Sequence, residues 1–131
     1  MSAHPTYFSP YDETYWASVA EGATRIQKCS ECATLRYPAA ACCPKCLGVE
    51  ADWVPIRGRG TVLSWTTLHR QYLPAYPAPS TIVVVRLEEG PIMISNIAEA
   101  DRKFLKIGVP VEMTYFDHPD GYRLSRFVIS G

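Results

Sequence analysis

Every cysteine in the chain falls within one stretch, CSECATLRYPAAACCPKC, running from Cys29 to Cys46. Cys29-x-x-Cys32 and Cys43-x-x-Cys46 form two knuckles separated by ten residues. A C-x-x-C turn aims two thiolates at one ion while backbone N–H groups in the turn bond the sulfurs. Two such turns facing each other supply four sulfurs at about 2.3 Å in a closed tetrahedron, the arrangement of structural Zn2+. Four thiolates leave no open position for water or substrate, so a metal held this way shapes the chain rather than reacting. Iron in a rubredoxin-like site uses similar ligands and spacing and stays open as an alternative. The fifth cysteine then needs a place. Cys43-Pro44-Lys45-Cys46 is a good knuckle because Pro sets the turn, whereas starting from Cys42 would widen the gap to three residues. Cys42 is therefore the spare, expected as a small apolar side chain under the ribbon. Five cysteines within eighteen residues, two of them adjacent, make a poor disulfide framework.

Outside this cluster the sequence shows no nucleophile constellation. There is no Ser in a nucleophile elbow, and no cysteine remains for a Cys–His pair. His4, His69 and His118 are scattered among a tail, a strand end and a turn. His69 opens a segment, 69–79, that holds three prolines and two tyrosines. Such a semi-rigid loop with amphipathic rings suits contact with a ligand or partner, and Arg70, Tyr72 and Tyr76 are its candidates alongside His69. Arg57 and Arg59 flank Gly58; two apart in a strand they share one face and could bind an anion, or serve only the seam between two parts of the chain.

Three parts must position these residues: an N-terminal helical segment over 1–24, the cysteine ribbon over 25–56, and a β domain over 57–131. Ser9-Pro10-Tyr11-Asp12 reads as a helix start, with a Ser cap, Pro at the first helical position and an acid three residues after the cap. The helix is expected to run to about Glu21, with Tyr15, Trp16, Val19 and Ala20 on its apolar side and Gly22 ending it. Tyr15 and Trp16 either pack on their own domain or dock on a partner. The ribbon is too short for much of a core without a metal. Strands are then predicted over 61–69, 81–87 (TIVVVRL), 92–97, 109–116 and 122–129, with the apolar run 81–87 read as a buried strand. The one short helical candidate, 99–107, falls between the third and fourth strands, where an OB-fold carries its helix. The fold class is therefore mainly β: an N-terminal helix, a rubredoxin-like zinc ribbon, then a five-stranded OB-fold barrel, whose closure removes exposed edges.

Zinc ribbons and OB-folds also serve as single-stranded nucleic-acid binders, the alternative reading of these elements. The charge balance weighs against it, because 13 Lys and Arg offset 13 Asp and Glu and phosphate binding runs on excess positive charge. No stretch approaches the ~18 apolar residues of a membrane span. The opening MSAHPTYFSPYDE has neither a basic start nor an apolar run, so it is no secretory signal. Neither nucleic acid nor membrane is an expected partner, and a cytoplasmic location is.

The order of these elements resembles the acyl-CoA-associated zinc-ribbon/OB-fold family, domain of unknown function thirty-five. The resemblance covers nearly the whole chain. It rests on Tyr15-Trp16, the lead-in Ile26-Gln27-Lys28-Cys29, Tyr37-Pro38 between the knuckles, and Cys43-Pro44-Lys45-Cys46. It continues through Trp53, Gly58-Arg59-Gly60-Thr61-Val62 and Ile107-Gly108-Val109-Pro110-Val111. The chain departs from the family pattern at Ala33, where Gly is usual, and at Ala39-Ala40, where Pro-Arg is common. The resemblance implies a subunit that is not an enzyme alone. Such subunits join thiolases, thiolase-like retro-aldolases or acyltransferases in hetero-oligomers such as heterotetramers, where they bridge subunits and line the acyl-CoA channel. The carbon–carbon bond cleavage then belongs to the partner, as in steroid side-chain or aromatic catabolism. On that basis Arg57, Arg59, His69, Arg70, Tyr72 and Tyr76 become candidate contacts for acyl-CoA or partner, and Tyr15 and Trp16 a candidate docking helix.

Overall fold

A computed structural model describes residues 12–71 and 77–130 of the chain. Helix α1 (Asp12–Ala20) places Asp12 and Glu13 in its first turn, where carboxylates meet the positive end of the helix dipole. The expected Ser9 cap and Pro10 lie outside the described residues. Gly22, at φ 73°, ends the helix. Its N–H bonds the Val19 carbonyl at 3.0 Å while the Ala23 N–H bonds that of Ser18 at 3.1 Å, the paired stop that a left-handed glycine permits. The buried side of α1 is Tyr15, Ser18 and Val19, and Ala20 is exposed. Ser18 can be buried because its hydroxyl donates to the Tyr15 carbonyl at 2.6 Å and accepts the Arg25 N–H at 3.0 Å.

The ribbon is a three-stranded antiparallel sheet of β1 (Arg25–Cys29), β2 (Leu35–Arg36) and β3 (Ala51–Pro55), in the order β2-β1-β3. Its interior is polar as well as small. The buried Gln27 side-chain oxygen accepts Arg36 Nε at 2.8 Å and the Ala40 N–H at 2.9 Å. One amide thus ties the central strand to the segment between the two cysteine pairs.

Five strands follow: β4 (Arg59–Leu68), β5 (Ser80–Leu87), β6 (Ile92–Asn96), β7 (Pro110–Asp117) and β8 (Arg123–Ile129), in the order β6-β5-β4-β7-β8, all antiparallel. Each predicted strand lies within one or two residues of its expected ends, and the helical candidate 99–107 is a 3-10 turn over Glu99–Phe104. β4 pairs with β5 along its length but with β7 only from Arg59 to Thr61, and a register shift between Val62 and Ser64 bends it away. The sheet curls until Ile97, just beyond β6, forms a parallel bridge to Phe127, with the Ala98 N–H on the Phe127 carbonyl at 2.9 Å. Val62, Val83, Val85, Leu87, Met93, Val111 and Phe127 fill the interior. In β5 the apolar run divides by pleat: Thr81, Val83, Val85 and Leu87 point inward, while Ile82 and Val84 are half-buried on the outer face. Among the described residues no helix is long and apolar enough to cross a membrane.

The ribbon is held to the barrel by polar ties. Tyr115 on β7 presents its hydroxyl to the Thr24 N–H at 3.0 Å and to the Thr24 hydroxyl at 2.7 Å. Arg123 Nη1 on β8 donates to the Ala20 carbonyl at 3.1 Å.

Gly60 sits where β4 passes between β5 and β7, and a Cβ there would meet the Arg86 carbonyl and would lie 2.6 Å from Val85 Cγ1. Gly60→Ala is therefore expected to lower stability by about 1–3 kcal/mol, the usual cost of overpacking. Denaturant unfolding followed by circular dichroism measures it, and a change within about 0.5 kcal/mol would mean the strands part without strain.

Candidate metal centre

The two knuckles repeat one backbone circuit. In the first, the Cys29 N–H bonds the Thr34 carbonyl at 2.8 Å and the Ala33 N–H bonds the Cys29 carbonyl at 3.0 Å. In the second, the Cys43 N–H bonds the Gly48 carbonyl at 2.8 Å and the Leu47 N–H bonds the Cys43 carbonyl at 3.0 Å. Ala33 and Leu47, each following a second cysteine, both turn left-handed at φ 63° and 64°. Position for position, Cys43 corresponds to Cys29, and Cys42 has no counterpart.

The sulfurs follow the backbone. Sγ atoms of Cys29, Cys32, Cys43 and Cys46 all lie within 4.8 Å of one another. The Cys29–Cys46 and Cys32–Cys43 separations are 3.5 Å, close to the about 3.8 Å between ligands of a tetrahedral site with 2.3 Å bonds. Cys29 and Cys43 are buried, whereas Cys32 and Cys46 face solvent. Cys42 is also exposed, which corrects its expected place under the ribbon. The circuit that buries Cys43 turns the preceding residue outward.

Proton affinities show why four thiols in this space call for a cation. The N–H groups of Cys46 and Lys45 hold the Cys43 thiol down to about 6. Cys46 receives help from the Gly48 N–H, yet the sulfurs of Cys29 and Cys32 push it up to about 12. The Thr34 hydroxyl and N–H lower Cys32, whose sulfur lies 3.1 Å from Thr34 Oγ1. Without a positive ion the second and third charges repel the fourth; a divalent metal would keep all four ionised. The residues present fit a four-coordinate thiolate site, and when bound the metal would cross-link the two halves of the ribbon.

The other candidates are dispersed. Arg57 Nη1 lies 3.5 Å from Glu88 Oε2 and Arg59 Nε 3.6 Å from Glu112 Oε1, so each guanidinium stands beside a carboxylate. His69 and Arg70 are exposed beyond the end of β4. Tyr72 and Tyr76 lie outside the described residues. Tyr15 is 7% exposed; its ring packs edge-on to Trp16 at 5.1 Å and tilted on Tyr37 at 5.5 Å. Burial, then Tyr37, raises the Tyr15 hydroxyl well above its ordinary pKa.

Sequence reasoning missed a groove of about 610 Å³ between α1, Tyr37 and the facing edges of β6 and β8. Trp16, Met93, Phe116 and Arg126 are among the residues that line it. The residues come from six separate stretches of chain, so no local pattern announced them.

Comparison with known proteins places this geometry. The family model described as ChsH2, rubredoxin-like zinc ribbon domain, matches residues 16–51, and that described as ChsH2, C-terminal OB-fold domain, matches 53–116. The 3-oxo-4,17-pregnadiene-20-carboxyl-CoA hydratase alpha subunit of Mycobacterium tuberculosis is 35% identical over 106 residues, 81% of this chain and 34% of that protein. The chain thus spans about a third of the length of the curated hydratase subunits it matches. A DUF35 domain-containing scaffold protein of Pyrococcus furiosus is 28% identical over 104 residues, 76% of this chain and 74% of its own. Among solved structures, a chain of the Ltp2-ChsH2(DUF35) aldolase superposes with a TM-score of 0.86 at 27% identity, covering 96% of this chain and 98% of that one.

Two outcomes are expected at the cysteines. Cys42→Ser should leave the metal content, read by elemental analysis, near about one per chain, while Cys43→Ser abolishes it; the reverse would overturn the ligand assignment. Ala33→Gly should raise stability by about 0.5–1 kcal/mol, since glycine adopts a left-handed turn without the strain alanine carries. An unchanged or lower unfolding midpoint would count against that reading.

Proposed function

The chain belongs to the DUF35 family in its ChsH2-type form, a rubredoxin-like zinc ribbon followed by an OB-fold, and from that premise we propose that it is a non-catalytic accessory subunit of an acyl-CoA enzyme. The observation that carries the reading is the near end-to-end likeness to one chain of the Ltp2-ChsH2(DUF35) aldolase. That likeness is not confined to the ribbon, a module many unrelated proteins carry, but includes helix, ribbon and barrel together. The name of the Pyrococcus relative, a scaffold protein, points the same way.

The chemistry of the chain is consistent with a supporting role. Its four clustered thiolates would hold zinc with every coordination position filled, so the metal stabilises rather than activates. The described residues show no nucleophile hydrogen-bonded to a base that is itself oriented by a third group. We assign the bond-making to a thiolase-like partner, either a thiolase or a retro-aldolase. Acyl-CoA is the ligand of the complex, and this subunit stiffens the partner and contributes one wall of the ligand channel. Outward apolar side chains suit such an interface: Ile94 is 64% and Ile107 78% exposed.

Co-expression with the thiolase-like protein encoded nearest to it is the direct test. The two are expected to co-purify in a fixed ratio, and acyl-CoA cleavage or condensation is expected only from the pair. If the chain stays a monodisperse monomer that retains no such partner, or if it turns over acyl-CoA by itself, the proposal fails.

A further inference from the structure

The groove beside the barrel holds a cation with no carboxylate partner among the described residues. Besides the hydroxyls of Tyr15 and Tyr37, three residues that can carry charge near neutral pH line it among those described: Glu99, His118 and Arg126. Glu99 is paired with Arg102 at 3.1 Å, and His118 Nδ1 faces Asp120 Oδ2 at 3.6 Å. The Arg126 side chain, on β8, makes no hydrogen bond and no ion pair among the described residues, and its Nε is shielded from solvent without an acceptor. The Phe116 ring addresses it, with its centroid 4.5 Å from the guanidinium carbon. A ring engages the flat face of a guanidinium and leaves the in-plane N–H groups, which carry its hydrogen-bonding capacity, unused. Leaving a shielded charged donor without an acceptor is destabilising, so the arrangement is either a defect or half of a binding site.

The surroundings favour a site. At about 610 Å³ the groove is of small-molecule size. Trp16, Tyr37, Met93, Ile97 and Phe116 make much of its wall apolar and aromatic. A ligand that fits must present a flat or flexible apolar body and one acceptor-rich anionic end. A carboxylate matches the fork of a guanidinium with two coplanar oxygens. It also cancels the single unpaired charge, whereas a phosphate dianion would leave a net negative charge in a mostly apolar space, and a neutral ester or thioester would leave the guanidinium uncompensated. We propose that this groove binds an apolar carboxylic acid in its ionised form, with the carboxylate on Arg126 and the hydrocarbon body along Trp16 and Tyr37. The site is complete within this chain and does not rest on the accessory-subunit reading.

The zinc-loaded full chain, without partner, serves for the test, with decanoate, decanamide and inorganic phosphate as probes and tryptophan fluorescence as readout. Decanoate is expected to bind saturably with a fluorescence change that Trp16→Phe removes. Decanamide should bind at least about tenfold more weakly, the usual scale for losing one charged hydrogen-bonded contact, and phosphate should not compete. Arg126→Gln, checked for folding by circular dichroism, should bring decanoate down to the level of decanamide, with Arg126→Lys between. Should Arg126→Gln not fold, Ser95→Asp, which adds a negative charge to the same wall, is expected to weaken decanoate and leave decanamide unchanged. Equal affinity for acid and amide, competition by phosphate alone, or decanoate binding indifferent to whichever variant folds would each overturn the proposal. None of these results bears on whether a thiolase-like partner co-purifies.

Discussion

Four sulfur atoms held within 4.8 Å of one another form a charge problem before they form a structure. A thiolate close to three others is destabilised unless a cation stands among them, as the divergence of Cys43 and Cys46 shows. The ribbon around them offers little else. Its strands are five, two and five residues long, and a sheet that small buries too little apolar area to offset its own chain entropy. The knuckle circuits bring the sulfurs together, and a bound metal would make that convergence worth its cost in entropy. A bound metal would therefore do for residues 25–55 what Phe127 and the valines do for the barrel.

The consequence reaches beyond the ribbon because β1 is a lever with both ends in use. At one end it terminates in Cys29; at the other it leads back through Thr24 to the Tyr115 hydroxyl and through Ser18 into α1. β2 leads directly to Tyr37, whose ring packs on Tyr15. The helix and Tyr37 in turn supply one side of the groove whose other side is the barrel. A ribbon without its metal would loosen that wall, which then hangs on the Arg123–Ala20 tie and the packing of α1 on β8. A metal bound in the ribbon would thus bear on the groove through packing, without touching it.

What could be read from the sequence, and what could not, divides by the range of the interactions involved. Knuckles, turns and strands are local: Cys43-Pro44-Lys45-Cys46 carries its own turn, and β5 announces itself by a run of branched residues. Errors arose where a residue's environment is set by distant chain. Ala20 looked apolar enough to face inward, but the register of α1 on β8 presents Ser18 instead, made burialworthy by its two hydrogen bonds. Cys42 looked small enough for an interior place, but its neighbour's circuit turns it out. The groove was illegible for the same reason, since strands β6 and β8 meet only after the barrel has curled.

The arginines make the point about energetics. Arg57 and Arg59 drew attention by their spacing, yet both are well exposed, at 77% and 61% of their side chains, and each has a glutamate within 4 Å. An exposed guanidinium beside a carboxylate gains little from either water or ion, about 0–1 kcal/mol, and has correspondingly little to offer a third charge. Arg126 stands in a strand, next to Phe127, where sequence suggests only a wall residue. Shielding reverses the ranking. With solvent removed from its Nε and no carboxylate in reach among the described residues, that N–H has lost hydration it has not recovered, and an incoming anion would restore it. Recognition capacity in this fold follows from what burial leaves unpaid, and neither charge count nor spacing along the chain reveals that quantity.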